Sequence, residues 1–420
     1  MSKYVIAHDL GTSCNKATLF NEEGMLVASY VASYRTDYAA GNRAEQNPAD
    51  WWKAIVETTH ALLQIVSPDD IAGVALSGQM MGCLCVDKKG NPLYPHLLYC
   101  DQRSQEEEAF LAGKIDPLHF YEITGHRISA SYSIEKLMWI RKHLPEVFAN
   151  TYKMLNAKDY INFRLCGTIA TDPSDASGTN AYDLNRWAWS EEIIEAAGLD
   201  ISLFPEVSSS IDVIGEVTEE AAKATGLRKG TPVVCGGGDG SCAGVGVGCV
   251  APGTSYNYLG SSSWVALTVE KPVVDEQRRT MNWAHVVPGM LHPSGTMQTA
   301  GASYNWMVQQ LCQQEQEEAR QRKGNVYELI DEQIRKSPIG SNKLLFLPYL
   351  VGTNAPEFDQ DASGVFFGLR QEHDVFDLAG AVMEGVAYLL RRNCDDIRAK
   401  GTALTHIIAT GGGAKSPVWC

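Results

Sequence analysis

Three segments place glycines, hydroxyls and carboxylates where an apolar run gives way to a loop. Asp9-Leu10-Gly11-Thr12-Ser13, with Lys16 behind it, closes the first such run. Asp239 stands inside Gly236-Gly237-Gly238-Asp239-Gly240, after Thr231 to Cys235, and Gly411-Gly412-Gly413-Ala414-Lys415-Ser416 follows Ile407 to Thr410. Glycine lets backbone approach a ligand, amides and hydroxyls donate to phosphate oxygens, and a carboxylate holds a hard cation or takes a proton. These are the parts phosphoryl transfer needs, since that reaction asks for positioning and charge neutralisation more than covalent work. Gly11, Thr12, Ser13 and Lys16 suit the phosphates, Asp9 a magnesium ion reached through water, and Asp239 the base that takes the proton of an attacking hydroxyl. An Asx-turn at Asp9 and a helix N-cap at Asp239 use the same residues, so both readings of each stand open. The bare backbone of Gly411 to Gly413 suits a flat ligand such as an adenosine, or a plain strand-to-helix turn. Gln79 and Asp101, at strand ends, suit sugar hydroxyls or the ordinary surface.

Other routes to a nucleotide lack their residues. No GxxxxGK[ST] occurs, and no clean GxGxxG follows the first strand. Cys235, Cys242 and Cys249 recur every seven residues without a histidine among them, which reads as small buried side chains rather than a metal site.

The elements that must position these residues follow from periodicity. Tyr4 to Ala7 and Ala17 to Phe20 predict a hairpin whose outer turn is Asn21-Glu22-Glu23-Gly24. Asn47-Pro48-Ala49-Asp50 announces a helix through Leu63, with Asp50 as its cap, and Ile71 to Leu76 predicts a buried strand delivering Ser77-Gly78-Gln79-Met80 to a loop. Between about Asp101 and Thr231 the chain is richer in charge and helical periodicity, as an inserted substrate-facing layer would be. Small residues from Gly240 to Gly248 predict a closely packed helix, and Pro252-Gly253 marks the turn between two halves, 1–251 and 252–420. Leu10 to Leu19 finds an echo in Leu259 to Thr268, both strand, glycine-hydroxyl loop, strand, so that one copy opens each half.

The totals agree with that division. The 420 residues exceed what one core usually serves, so two domains are expected. A formal net charge of −15 argues against nucleic acid and anionic membrane as partners, and leaves an anionic cosubstrate dependent on a local cradle. Eleven cysteines without a CxxC pair, no signal-peptide core and no long apolar run predict reduced thiols in a cytoplasm. Trp51, Trp52, Trp187 and Trp189 fit a core or a homodimer interface equally.

Taken in order, the segments resemble the FGGY carbohydrate kinase family, most closely its xylulose kinase branch, over essentially the whole chain. Besides the motifs above, the resemblance rests on Ala44 to Trp52, Asp101-Gln102-Arg103, Lys158-Asp159-Tyr160, Thr171 to Thr179, Leu259-Gly260-Ser261-Ser262 and Phe346 to Leu350. It implies an α/β protein of two ribonuclease H-like domains of the actin and hexokinase type, with ATP, magnesium and a small sugar in an interdomain cleft. Asp239 falls on the family's catalytic base, and Asp9 on its magnesium-associated aspartate, with Asp239 also facing the metal. Gly78, Gln79 and Met80 fall on its sugar-binding motif, and Met81, Asp101 and Asp239 are expected to border the sugar beside them. Thr12, Ser13, Gly260, Ser261 and the run Gly411, Gly412, Gly413 fall on its nucleotide contacts, and Gly11, Lys16, Ser262, Gly301 and Lys415 are expected to join them in binding the nucleotide. The implied activity is transfer of the γ-phosphate of ATP to a ketose, D-xylulose first. The chain departs from the family at Met81, where xylulose kinases usually carry histidine, at Gly352-Thr353-Asn354 in place of Gly-Glu-Arg, and in stopping at Cys420, where a further helix is expected.

Overall fold

Alternation of side chains decides the first sheet. The computed structural model describes residues 3–353, 359, 361–401 and 404–420; Asn354 lies outside them. Strands β1 (Tyr4–Leu10) and β2 (Cys14–Asn21) form the expected hairpin, and β3 (Leu26–Ser33) continues it antiparallel. Along β2 the side chains of Asn15, Ala17 and Leu19 are buried while Lys16 faces solvent, the period-2 pattern of a strand with one covered face. Helix α1 (Pro48–Leu62) supplies that cover through Trp51, Ile55 and Leu62, all fully buried against Ile6, Leu19 and Val74. Each such side chain contributes about 1.5–3 kcal/mol. Its cap is Asn47, whose side chain accepts from the amide of Ala49, and not Asp50 as the sequence predicts. Proline at the first helical position moves the start forward, and Asp50 sits in the first turn.

Strand β4 (Ile71–Gly78) runs parallel to β1. The intervening layer holds α2 (Ser133–His143), α3 (Ala157–Cys166) and α4 (Pro173–Ser177), followed by β5 (Val213–Glu216), β6 (Pro232–Val234), β7 (Gly237–Gly238) and α5 (Asp239–Gly246). The sheet order is β5-β6-β4-β1-β2-β3, with β7 also on β4. Close approach falls on the glycines before α5. A β-carbon on Gly236 would lie 1.9 Å from the carbonyl of Leu76, whereas those on Gly240, Gly246 and Gly248 would meet open space.

The chain divides into two units. The first comprises residues 1–246, 270–272 and 282–291, the second 247–269, 273–281 and 292–420. In the second, β8 (Ser255–Leu259) and β9 (Ser263–Leu267) form an antiparallel hairpin, β10 (Leu291–Met297) adds antiparallel to β9, and β11 (Ile408–Thr410) adds parallel to β8. That order, β10-β9-β8-β11, repeats β3-β2-β1-β4 in both sequence and strand sense. The echo between Leu10–Leu19 and Leu259–Thr268 is therefore the legible part of a repeat in topology. Helix α6 (Gly301–Leu311) and helix α7 (Val375–Ala399), which is closed at its start by a capping box of Asp374 and Asp377, pack together in this unit. Ile407 and Ile408 are over a third exposed, so the apolar run before Gly411 lies open at the sheet edge. Trp51 belongs to the core, and no helix among the described residues is long and apolar enough to cross a membrane.

Candidate active site

In the first unit, three of the predicted motifs leave the sheet at one level. Leu10 pairs with Gly78, and Gly78 pairs with Gly238, across parallel strands. Consequently Gly11-Thr12-Ser13, Gln79-Met80-Met81 and Asp239 emerge side by side at the carboxyl ends of β1, β4 and β7, where open α/β sheets bind ligands.

The hydroxyl-bearing loop is held from behind. The carbonyl of Gly11 accepts from the Tyr34 hydroxyl, that of Thr12 from Thr36 Oγ1 at 3.3 Å and from Gln46 Nε2, and that of Ser13 from the amide of Tyr34 at 3.1 Å. With its carbonyls tied to the protein, the loop presents donors to an incoming anion. Asp9 is exposed, accepts from Ser77 Oγ at 2.8 Å, and stands across the hairpin from exposed Lys16. A groove of about 550 Å³ runs past Asp9, Lys16 and Ser77, its walls largely apolar.

Asp239 opens α5 with one side to solvent, its Oδ1 accepting from the amide of Gly240 at 2.7 Å. Protein crowding around the remainder of the carboxylate, and after it the negative charge of Asp9, raises its pKa to about 6. Two exposed carboxylates that feel one another supply the hard oxygen donors a divalent cation prefers. Gly238 must lack a side chain, because a β-carbon there would lie 2.4 Å from Met80 Sδ.

The residues expected at a sugar fall into different surroundings. Met80 is buried, with its methyl 3.4 Å from where a β-carbon on Gly178 would stand; the Trp283 ring is 3.5 Å from the same point. Trp283 in turn lies against His126, ring centres 4.2 Å apart. Burial lowers the His126 imidazole to about 3, so it stays neutral. Met81 is half-buried with φ 66°, its carbonyl accepting from Lys136 Nζ at 3.3 Å. Gln79 donates inward to Gln46 Oε1 at 2.8 Å, which links the Met80 loop to the Thr12 loop, and Gly78 backs onto Lys158. Asp101 does not present its carboxylate to this face. It is fully buried and accepts from the amide of Ala44 at 2.7 Å and from Arg103 Nη2 at 2.7 Å.

A buried ionic cluster lies beneath, and its role is absent from the sequence reading. Lys158 Nζ approaches Asp159 at 2.7 Å, Asp172 at 3.3 Å and Asp175 at 3.4 Å, every side chain closed to solvent. Burial opposes the charge on Lys158, yet the three carboxylates together hold it protonated. Burial raises Asp175 well above the usual carboxylate range and raises Asp159 as well, with Lys158 offsetting part of each rise. The available signal was four ionisable residues in two short segments flanked by apolar ones.

In the second unit, Gly260-Ser261-Ser262, Gly301 and Gly411 to Gly413 converge on Leu259. The amide of Gly301 donates to the carbonyl of Gly260 at 2.8 Å, and that of Ala302 to Ser261 at 3.0 Å. A β-carbon on Gly411, which has φ 91°, would meet the Leu259 carbonyl at 2.7 Å, and one on Gly413 the Leu259 side chain at 2.5 Å. Gly412 borders open space, and Ser261, Ser262 and Lys415 are exposed.

Residues 4–246 match the model of the FGGY family of carbohydrate kinases, N-terminal domain, and residues 255–420 match its C-terminal domain. The chain belongs to the FGGY family of carbohydrate kinases. It is 32% identical to a xylulose kinase of Lactococcus lactis over 99% of this chain and 81% of that protein. The xylulose kinase structure from Rhodospirillum rubrum superposes with a TM-score of 0.91 at 28% identity, covering 99% of this chain and 83% of the other. A gluconate kinase structure from Lactobacillus acidophilus gives 0.91 at 26% identity, over 100% and 83% of the two chains. FGGY membership makes the chain a phosphotransferase acting on carbohydrate, in a mixed α/β, two-unit fold.

Proposed function

We propose that this kinase transfers the γ-phosphate of Mg-ATP to a hydroxyl of D-xylulose, with Asp239 as general base. The observation that carries the reading is the shared level of Leu10, Gly78 and Gly238 in the sheet, which sets Asp239 beside both the Gly11-Thr12-Ser13 loop and the Met80 loop. A carboxylate raised to about 6 is still ionised at neutral pH and is a stronger base than a free aspartate. Asp9 and Asp239 would hold magnesium, whose contribution when bound is to offset phosphate charge. Gly11, Thr12, Ser13 and Lys16 would bind the phosphates. Gly260, Ser261, Ser262, Gly301 and the Gly411–Gly413 turn, with Lys415, would bind the rest of the nucleotide. Met80 with Gly178 and Trp283 forms an apolar wall suited to a sugar's carbon face, and Met81 borders it. The principal similarity to xylulose kinases supports the choice of sugar, while Met81 and the likeness to a gluconate kinase favour a second reading, a different sugar of the same class.

ADP release from Mg-ATP with a panel of ketoses, polyols and gluconate tests this. Turnover is expected with D-xylulose above the no-sugar control, and Asp239→Ala is expected to lower it by about 100-fold or more. Preference for another panel member replaces xylulose, and full turnover in Asp239→Ala removes the base.

A further inference from the structure

We infer that Ser174 is a positioning residue for Asp239, acting through the amide of Gly238. The inference rests on Asp239 serving as the base. The amide of Gly238 donates to Ser174 Oγ at 2.8 Å, and Ser174 Oγ donates to Asp172 Oδ2 at 2.5 Å. A serine hydroxyl has one hydrogen, so its donation to Asp172 leaves it an acceptor toward Gly238 and fixes the direction of the chain. Asp172 is anchored in turn: its Oδ2 also accepts from the amide of Ser174 at 3.0 Å and from Ser210 Oγ at 2.7 Å, and Lys158 Nζ lies 3.3 Å from its Oδ1. Ser174, Asp172 and Lys158 are all fully buried, so no water competes for these bonds.

What this anchors is the residue next to the base. Gly237 and Gly238 are walled by Val286 and Met80 at distances that admit no β-carbon, which limits sideways movement of the strand. Contacts of that kind are not directional, whereas the bond from Gly238 to Ser174 sets the rotation of the Gly237–Gly238 peptide plane, one peptide ahead of the one that joins Gly238 to Asp239. Loss of the Ser174 oxygen leaves a buried N–H without its acceptor, and the strand recovers one only by turning. Asp239 then leaves the line of attack, and a misplacement on the order of 1 Å costs up to about 100-fold in rate.

Ser210 supplies the control. Its hydroxyl donates to the same oxygen of Asp172 but does not touch Gly238. Steady-state kinetics, sugar binding by calorimetry and urea unfolding are measured for Ser174→Ala, Ser210→Ala and Asp239→Ala, using the best sugar of the panel. Ser174→Ala is expected to lower kcat at least about tenfold while the Kd for sugar stays within about threefold, and Ser210→Ala to keep kcat within about threefold at a similar loss of unfolding midpoint. Equal kcat in the two serine variants overturns the inference while leaving Asp239 as the base. Full turnover in Asp239→Ala overturns the underlying reading instead. If Ser174→Ala does not fold, Ser174→Cys, which keeps a weak acceptor in place, must still fall below Ser210→Ala in kcat, and parity between them overturns the inference.

Discussion

Met81 adopts a left-handed backbone that side chains other than asparagine, aspartate and histidine seldom take. The sequence shows only a methionine where the resemblance to xylulose kinases implies a histidine; the φ of 66° shows that the position also bears strain. Lys136 holds the turned carbonyl, which explains how a methionine is kept there. Met81→His relieves part of that strain and restores a hydrogen-bonding group, worth about 1 kcal/mol or slightly more. The KM for D-xylulose is expected to fall by about five- to tenfold, since 1.4 kcal/mol is a factor of ten. A KM that rises, with the variant folded, removes this position from sugar recognition. Asp101 teaches the converse, because nothing in Asp101-Gln102-Arg103 tells that the arginine would fold back on the aspartate and take its oxygens inward.

At the scale of elements, α3 and α4 are bound together by one buried cation. Lys158 opens α3, while Asp172 caps α4 by accepting from the amide of Ser174, and Asp175 lies within it. Removing the lysine leaves carboxylates that neither water nor another cation reaches, and breaking a buried pair in this way costs about 3–5 kcal/mol. Lys158→Met, which keeps the stem, is expected to lower the unfolding free energy by that amount in urea. A loss below about 1 kcal/mol would sink the claim that the cluster depends on this charge. The boundaries of strands and helices were legible because glycine, proline and polar turns punctuate them. The cluster was not, because attraction between Lys158 and Asp172 acts through space and leaves no period in the sequence.

For the whole molecule, buried ionisable groups of opposite sign set the dependence of stability on pH. His96 and His126 are lowered to about 3 by burial, His96 also by Lys136, so both destabilise the fold as pH falls below 6.5. Glu135 is raised to about 8 by burial, partly offset by its hydrogen bonds and Lys136, and therefore binds a proton in the folded state that the unfolded chain has released. Its stabilising share is complete below the unfolded value and is lost as pH climbs toward 8. At pH 6.5 half of each such histidine is protonated in the unfolded chain, so the histidines go on adding stability until about pH 7.5. Lys136, lowered to about 8 by burial, works in the opposite sense mainly above that pH. Glu135 contributes a loss of about 1.5–2 kcal/mol between pH 6.5 and 8, which the histidines and Lys136 partly offset. Comparing the pH slope of unfolding free energy in the wild type and in Glu135→Gln checks this; identical slopes defeat it.

The motifs, the two hairpins with their glycine-hydroxyl loops, the family and the presence of two α/β halves could all be read from residue order, because each is carried by neighbours along the chain. Local spacing is enough to report a turn, a strand or a phosphate-type loop. Sequence could not decide that Gly11, Met80 and Asp239 leave the sheet at one level, which depends on the register of β1, β4 and β7. Nor could it decide that Asp101 closes on Arg103, or that Ser174 holds the Gly237–Gly238 peptide. Those outcomes rest on meetings such as that of Ser174 with Gly238, 64 positions apart, or on which way a side chain turns, and only packing in three dimensions sets them.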